Sequence, residues 1–220
     1  MPGSAPHPEQ LRFASDGRTP NSPHPLLIYR QLPLADGDLA VAFERLFDSH
    51  LWPAAWRGSI YDYQHYHSTA HEVLGVCRGW ARVMLGGERG REVELRAGDA
   101  LVLPAGTGHC CMQASADFQV VAGYPAGQHY DLLRPGPKGC AANGAMRRCG
   151  TWQGNIPLPA SRALPGVIWR CNAARDEAGT DPSHDAARER IAQVGVPISD
   201  PLAGTQGALV RLWREASLSR

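Results

Sequence analysis

Hydrophobic positions along the 220-residue chain follow two periods, and the change between them falls near residue 59. Between Asp38 and Ser49, Leu39, Ala42, Phe43, Leu46 and Phe47 recur at three- and four-residue spacing, which predicts an amphipathic helix over 38–49. Asp36 and Asp38 stand ahead of it as N-cap carboxylates. From Ser59 the period becomes two. In IYDYQHYH, Tyr61, Tyr63, His65 and His67 fall on one strand face, and Ile60, Asp62, Gln64 and Tyr66 fall on the other. Short apolar runs follow, EVLGV (72–76), ARVML (81–85), EVEL (92–95), ALVLP (100–104), HCCMQ (109–113) and FQVVAGY (118–124), broken by CRG, GGERG, RAGD, AGTG and ASAD. Evenly spaced short strands with glycine turns predict an all-β sandwich or barrel. The 24 glycines and 18 prolines, well above the ~12% that these two residues usually supply, suit many turns better than long helices.

The ends and one internal stretch lack this rhythm. Residues 1–24 are rich in Pro, Ser, Gly and Asn, broken by Leu11 and Phe13, and read as an arm that lies on the surface or pairs as an edge strand. Residues 135–186 carry no sustained period and read as a low-regularity insertion. Order returns over 191–215, where ALVRLW predicts a final strand or short helix. The expected organisation is an arm (1–24), a barrel (25–134), the insertion (135–186) and a return segment packing on the barrel (187–220).

Charge excludes some functions. Lys+Arg 22 against Asp+Glu 21 leaves +1, so nothing argues for nucleic acid or an anionic membrane surface. No apolar run approaches the ~18 residues of a membrane span, and MPGSAPHPEQLRF lacks the charged-then-apolar order of a secretory signal. Six cysteines, with no paired C-x-x-C, suit neither a disulfide scaffold nor a zinc knuckle. The expectation is a cytoplasmic protein with reduced thiols.

The chemistry concentrates between His65 and Gln113. His65 and His67 lie two apart and project to the same side of a strand; Glu72 follows five residues later, and His109 comes after Gly98-Asp99, Pro104 and Gly106. Three imidazoles and one carboxylate suit one divalent transition metal ion, with positions left for water or substrate. Three nitrogen donors disfavour an all-oxygen Ca²⁺ or Mg²⁺ cage. His71, adjacent to Glu72, faces the other side of the strand and reads as a core or interface hydrogen-bonder.

HYHSTAHEVLGVCRG (65–79) resembles the first cupin motif and GDALVLPAGTGHCCMQ (98–113) the second; Gln113 stands where the motif normally has Asn, and Gly58 lies one residue further out than usual. HYHSTAHEVLGV and LPAGTGH, with PNSPHPLLIYR before and AGYPAGQHYDL after, are similar to the YjlB-like small bacterial cupins over roughly 9–134 and 187–215. The resemblance implies a small double-stranded β-barrel (jelly roll) with metal ligands at His65, His67, Glu72 and His109. It also implies dimerisation, for which the 1–35 arm is the candidate element, and it brings no settled activity.

Strand parity extends the expected pocket. If His65 and His67 point inward, so do Tyr61 and Tyr63; if Glu72 does, so do Leu74 and Val76; and if His109 does, so do Cys111 and Gln113. A wall of phenols, thiol, amide and aliphatic groups suits a small polar organic ligand carrying a carboxylate, enol or sugar-like group. Three functions fit: an oxygenase-type enzyme on Fe, Mn, Ni or Zn, with Glu72 or Tyr63 as catalytic candidates; a metal-dependent isomerase or lyase in which a Tyr or Glu72 shuttles protons; and a non-catalytic binding or sensor module.

Overall fold

The computed structural model describes residues 7–34, 37–135, 156–157 and 184–218. In chain order the elements are β1 (Glu9–Leu11), β2 (Leu26–Tyr29), α1 (Leu39–Ser49), β3 (Ala54–Gly58), β4 (Glu72–Arg78), β5 (Trp80–Leu85), β6 (Arg91–Arg96), β7 (Ala100–Leu103), β8 (His109–Ala114), β9 (Gln119–Gly123), β10 (Ile156–Pro157), α2 (His184–Gln193) and α3 (Ala208–Leu218). Every strand pairing is antiparallel. Seven strands form one sheet in the order β1-β2-β7-β4-β9-β3-β10, and β6-β5-β8 form a second.

The two sheets close face to face as a jelly roll. Leu26, Ile28, Leu74, Val76, Leu101 and Val120 from the large sheet meet Val83, Leu85, Leu95 and Cys111 from the small one in a single apolar core. The alternate residues of the same large-sheet strands face the opposite way. Leu27, Tyr29, Val73, Val102 and Val121 pack under Phe43 and Phe47 of α1, Trp52, and Leu209 and Trp213 of α3. This second layer explains why β2 and β7 are buried along their whole length instead of alternating. Gly75 of β4 is required by that layer, because a Cβ there would lie 2.5 Å from the Phe43 ring. Gly79, at φ +63°, turns the chain from β4 into β5.

The helix expected over 38–49 is α1, capped by Asp38, whose side chain accepts from Ala40 N. Asp36 lies outside the described residues. The ALVRLW run resolves as helix α3. Asp200, fully buried, ties this C-terminal layer to the barrel by accepting from Tyr29 Oη (2.6 Å), Leu202 N (2.8 Å) and Leu209 N (2.9 Å). Two expectations need correction. Residues 60–67 do not form a strand; they run as a loop held by isolated bridges His65↔His109 and Tyr66↔Leu133. Helix α2 starts at His184 inside the stretch expected to lack regular structure, most of which (136–155 and 158–183) lies outside the described residues. Among the described residues, no helix is long and apolar enough to cross a membrane.

Candidate metal centre

The site forms where the loop 60–70 crosses the mouth between the two sheets. Glu72 is the first residue of β4, held between β7 and β9, and His109 is the first residue of β8. The loop is fastened to β8 by a reciprocal pair, His65 N to His109 O (3.1 Å) and His109 N to His65 O (2.9 Å), and Gly106 N donates to His67 O (2.7 Å). These bonds bring His65, His67 and His109 together, with ligand atoms within 4.8 Å of one another and all three side chains buried. Glu72 joins them: its Oε2 lies 3.5 Å from His67 Nε2 and 3.4 Å from His109 Nε2.

Each imidazole is oriented from behind. The Nδ1 atoms contact backbone carbonyls, His65 at Tyr63 O (3.1 Å), His109 at Thr107 O (3.1 Å) and His67 at Asp131 O. A carbonyl only accepts, so Nδ1 carries the proton and each Nε2 turns its other valence toward the centre. The Asp131 carboxylate in turn accepts from Ser68 N and Ser68 Oγ, and Arg190 of α2 donates to Ser68 Oγ (2.7 Å). The C-terminal segment thus supports the placement of His67.

Electrostatics favour an ionised carboxylate among imidazoles. Burial works against the charge on Glu72, but His67 and His109 outweigh it and hold Glu72 well below the usual carboxylate range. Burial also opposes the charge on His67, yet Glu72 raises its pKa. His65 is kept neutral by burial and by its two imidazole neighbours. Glu72 Oε1 accepts from Tyr124 Oη (2.7 Å), which itself accepts from Trp56 Nε1 (3.1 Å). Oε2, by contrast, is buried with no hydrogen-bond partner among the described residues. An orphaned carboxylate oxygen is costly, and a cation shared with the neighbouring Nε2 atoms removes that cost. The donor set, three nitrogens and one carboxylate oxygen, fits a borderline divalent transition ion.

A narrow cleft of about 40 Å³ opens over these groups. Tyr61 and Leu74 line it, as the strand parity anticipates. Tyr63 lies behind, stacked on Tyr61 at 4.8 Å with the Arg134 guanidinium 3.7 Å over its ring. Cys111 is buried in the inter-sheet core and is not on the cleft wall. Gln113 is a correction: it is exposed and pairs with Arg82. Register jumps from Val83↔Cys111 to Arg82↔Gln113, so Met112 is an extra residue, and this bulge turns Gln113 outward. His71 faces away, accepting from Ala105 N at Nδ1 (2.9 Å) and contacting Gly195 O through Nε2 (3.2 Å).

Six wall residues were not anticipated, Ser59 and Ile60 among them, the latter expected on the face opposite Tyr61. Tyr124 stands two positions past inward-facing Ala122, so continuing the β9 alternation by one step would have found it. Trp56 sits in β3, a run without period, and Tyr130 and Leu132 lie in a loop with no sequence signal.

Residues 62–128 match the family described as Cupin. The chain is 32% identical over 202 residues to the Bacillus subtilis (strain 168) protein described as "Uncharacterized protein YjlB", across 91% of this chain and 93% of that one. Among solved structures, procruciferin, an 11S globulin from Brassica napus, matches at 20% identity over 36% of this chain and 22% of its own, with a TM-score of 0.30. Acireductone dioxygenase from Bacillus anthracis, with a cadmium ion in its active center, matches at 22% identity over 49% of this chain and 51% of its own, with a TM-score of 0.23. The chain spans about a fifth of the globulin's length and half of the dioxygenase's.

Proposed function

This chain belongs to the cupin family as a YjlB-like member, and from that premise we propose that it is a metal-dependent enzyme performing an oxygenase-type reaction on a small organic molecule. His65, His67, Glu72 and His109 would hold one divalent ion, Fe, Mn, Ni or Zn. The observation that carries the reading is the buried Glu72 Oε2, without a hydrogen-bond partner among the described residues and 3.4–3.5 Å from two imidazole nitrogens. When bound, a redox-active ion supplies open coordination positions and a route for electrons between O₂ and an organic substrate.

The protein's own groups do the rest. Backbone carbonyls fix the three imidazoles, Tyr124 fixes one carboxylate oxygen of Glu72, and the apolar cleft walls exclude water from the donor set. A second reading, an isomerase or lyase, draws on one observation: the Tyr124 phenol is buried, hydrogen-bonded to Glu72 and kept protonated by burial and that carboxylate, which leaves a proton-bearing group beside the donors. Oxygen uptake by Fe(II)-loaded protein across a panel of small organic acids and enols tests the first reading. Uptake tied to product formation is the expected result. Turnover with Zn(II) and without oxygen uptake would replace it with the second, and binding without turnover would leave a sensor or binding module.

A further inference from the structure

The cleft wall has a composition that the alternation of the strands does not disclose. With Cys111 in the core and Gln113 outside, no thiol or amide side chain lines it among the described residues. Beyond the metal-binding set, its surface is mostly apolar or aromatic, from Trp56, Ile60, Tyr61, Leu74, Tyr130 and Leu132, with Tyr124 and Ser59. The polar tips are largely committed: Trp56 Nε1 bonds Tyr124, Tyr124 bonds Glu72, and Ser59 Oγ reaches its neighbour's carbonyl, Ile60 O, at 3.5 Å.

The aromatic rings are arranged as two stacked pairs flanking the histidines. Tyr61 and Tyr63 stack at 4.8 Å, and Tyr61 stands edge-on to His65 at 84°. Tyr124 and Tyr130 stack at 4.4 Å, and Tyr124 stands edge-on to His67 at 87°. At the mouth, Tyr61, Tyr130 and Leu132 are 40%, 48% and 44% exposed. Contiguous exposed apolar surface leading into a cleft marks a ligand-binding face. A polyol placed there would bury hydroxyls with few partners, which is unfavourable. A flat ring would cover the exposed tyrosine faces in offset stacks. A positive charge, the Arg134 guanidinium, lies over Tyr63, the ring stacked behind cleft-lining Tyr61.

Resting on the reading of this cleft as the substrate site, we propose that the substrate is a flat, largely apolar molecule, an aromatic ring or conjugated chain, carrying an anionic oxygen donor that is directed toward the histidines. Of the carboxylate, enol and sugar-like groups compatible with the sequence, this keeps the first two and discards the third.

Salicylate and gluconate, two acids that differ in ring against polyol, are titrated calorimetrically into the full-length protein, once metal-free and once loaded with Mn(II), with metal content measured by elemental analysis. Salicylate is expected to bind roughly tenfold tighter than gluconate in both forms, the aromatic walls being independent of the ion. Tyr130→Ala, which removes the ring stacked on Tyr124, is expected to remove most of that preference in a protein that still unfolds cooperatively and still takes up metal. Equal or reversed affinities, binding of neither acid, or an unaltered preference in Tyr130→Ala would overturn the proposal. Failure to take up metal, with the salicylate preference intact in the metal-free protein, would instead overturn the metal reading alone.

Discussion

Tyr124→Phe removes one hydroxyl and nothing else from the centre, and the structure sets the size of the effect. The phenol donates to Glu72 Oε1 at 2.7 Å in a site where both residues are buried. A hydrogen bond to a charged acceptor contributes about 1.5–3 kcal/mol. Without it Oε1 joins Oε2 as an unpartnered buried oxygen, and the carboxylate loses the contact that distinguishes its two ends. Metal affinity depends on Oε2 being presented to the imidazoles, so the same energy appears as a roughly 10–100-fold weaker metal Kd, the range that loss of an outer-shell partner produces elsewhere. Burial and the Glu72 carboxylate both raise the Tyr124 pKa, so the group remains a donor and the loss is the same across neutral pH. Competition of the wild type and the variant with a chromophoric chelator for Mn(II) or Co(II) gives the two Kd values, and the Co(II) spectrum reports the donor geometry. A Tyr124→Phe protein that binds either ion as tightly as the wild type, with the same spectrum, would refute the reasoning that Tyr124 orients Glu72.

Two further outcomes rest on packing. Gly75→Ala places a Cβ 2.5 Å from Phe43 Cδ1 between β4 and α1 and should destabilise by about 1–3 kcal/mol, as overpacking does; a denaturation midpoint equal to the wild type's would count against it. Cys77 and Cys110 are buried, and burial pushes each thiol up to about 11. At pH 8 both therefore lie below their folded-state pKa and stay almost wholly as thiols, becoming nucleophilic only as pH rises toward that value. Peptide-level mass spectrometry should find them unmodified by iodoacetamide at pH 8 in the native protein and fully modified in denaturant.

The barrel strands were legible because one of their faces alternates against a continuous core, and a period of two survives any loop length between strands. The four side chains of the candidate centre were legible for a related reason, since residue type and spacing fix which side of a strand or turn they occupy. What the sequence concealed was wherever pairing departs from that regularity. Met112 adds a residue to β8 and turns Gln113 out, and nothing in HCCMQ marks it. The alternation in IYDYQHYH is real, yet the segment forms no continuous ladder, only isolated bridges at His65 and Tyr66 and single bonds at Tyr61 O and His67 O, so it lines the site as a loop. Helix α2 buries only Ala187 within its span, which leaves no apolar stripe to read, and its contribution to the site is a polar contact, Arg190 to Ser68, across 122 residues of chain.

That division between regular and irregular elements also predicts how the centre opens. Glu72 begins a strand paired on both sides by β7 and β9, whereas His65 and His67 depend on the reciprocal His65–His109 bonds, the Tyr66–Leu133 pair and the Gly106-to-His67 bond. The loop should therefore detach from β8 in a local opening that breaks the donor set without unfolding the barrel. A ligand that binds only the closed form suppresses that opening by the factor 1 + [L]/Kd, about 100-fold (~2.7 kcal/mol) at 100 times Kd. With Mn(II) at that excess, amide exchange at His65, Tyr66, Gly106, His109 and Leu133 should slow by roughly this factor. Amides of β6, an edge strand in the opposite sheet that exchange by their own fraying, should be unchanged. Uniform slowing throughout the chain would mean that only global unfolding disrupts the centre, and unaltered exchange at His65 and His109 would mean that the ion is not held there; either result defeats the argument.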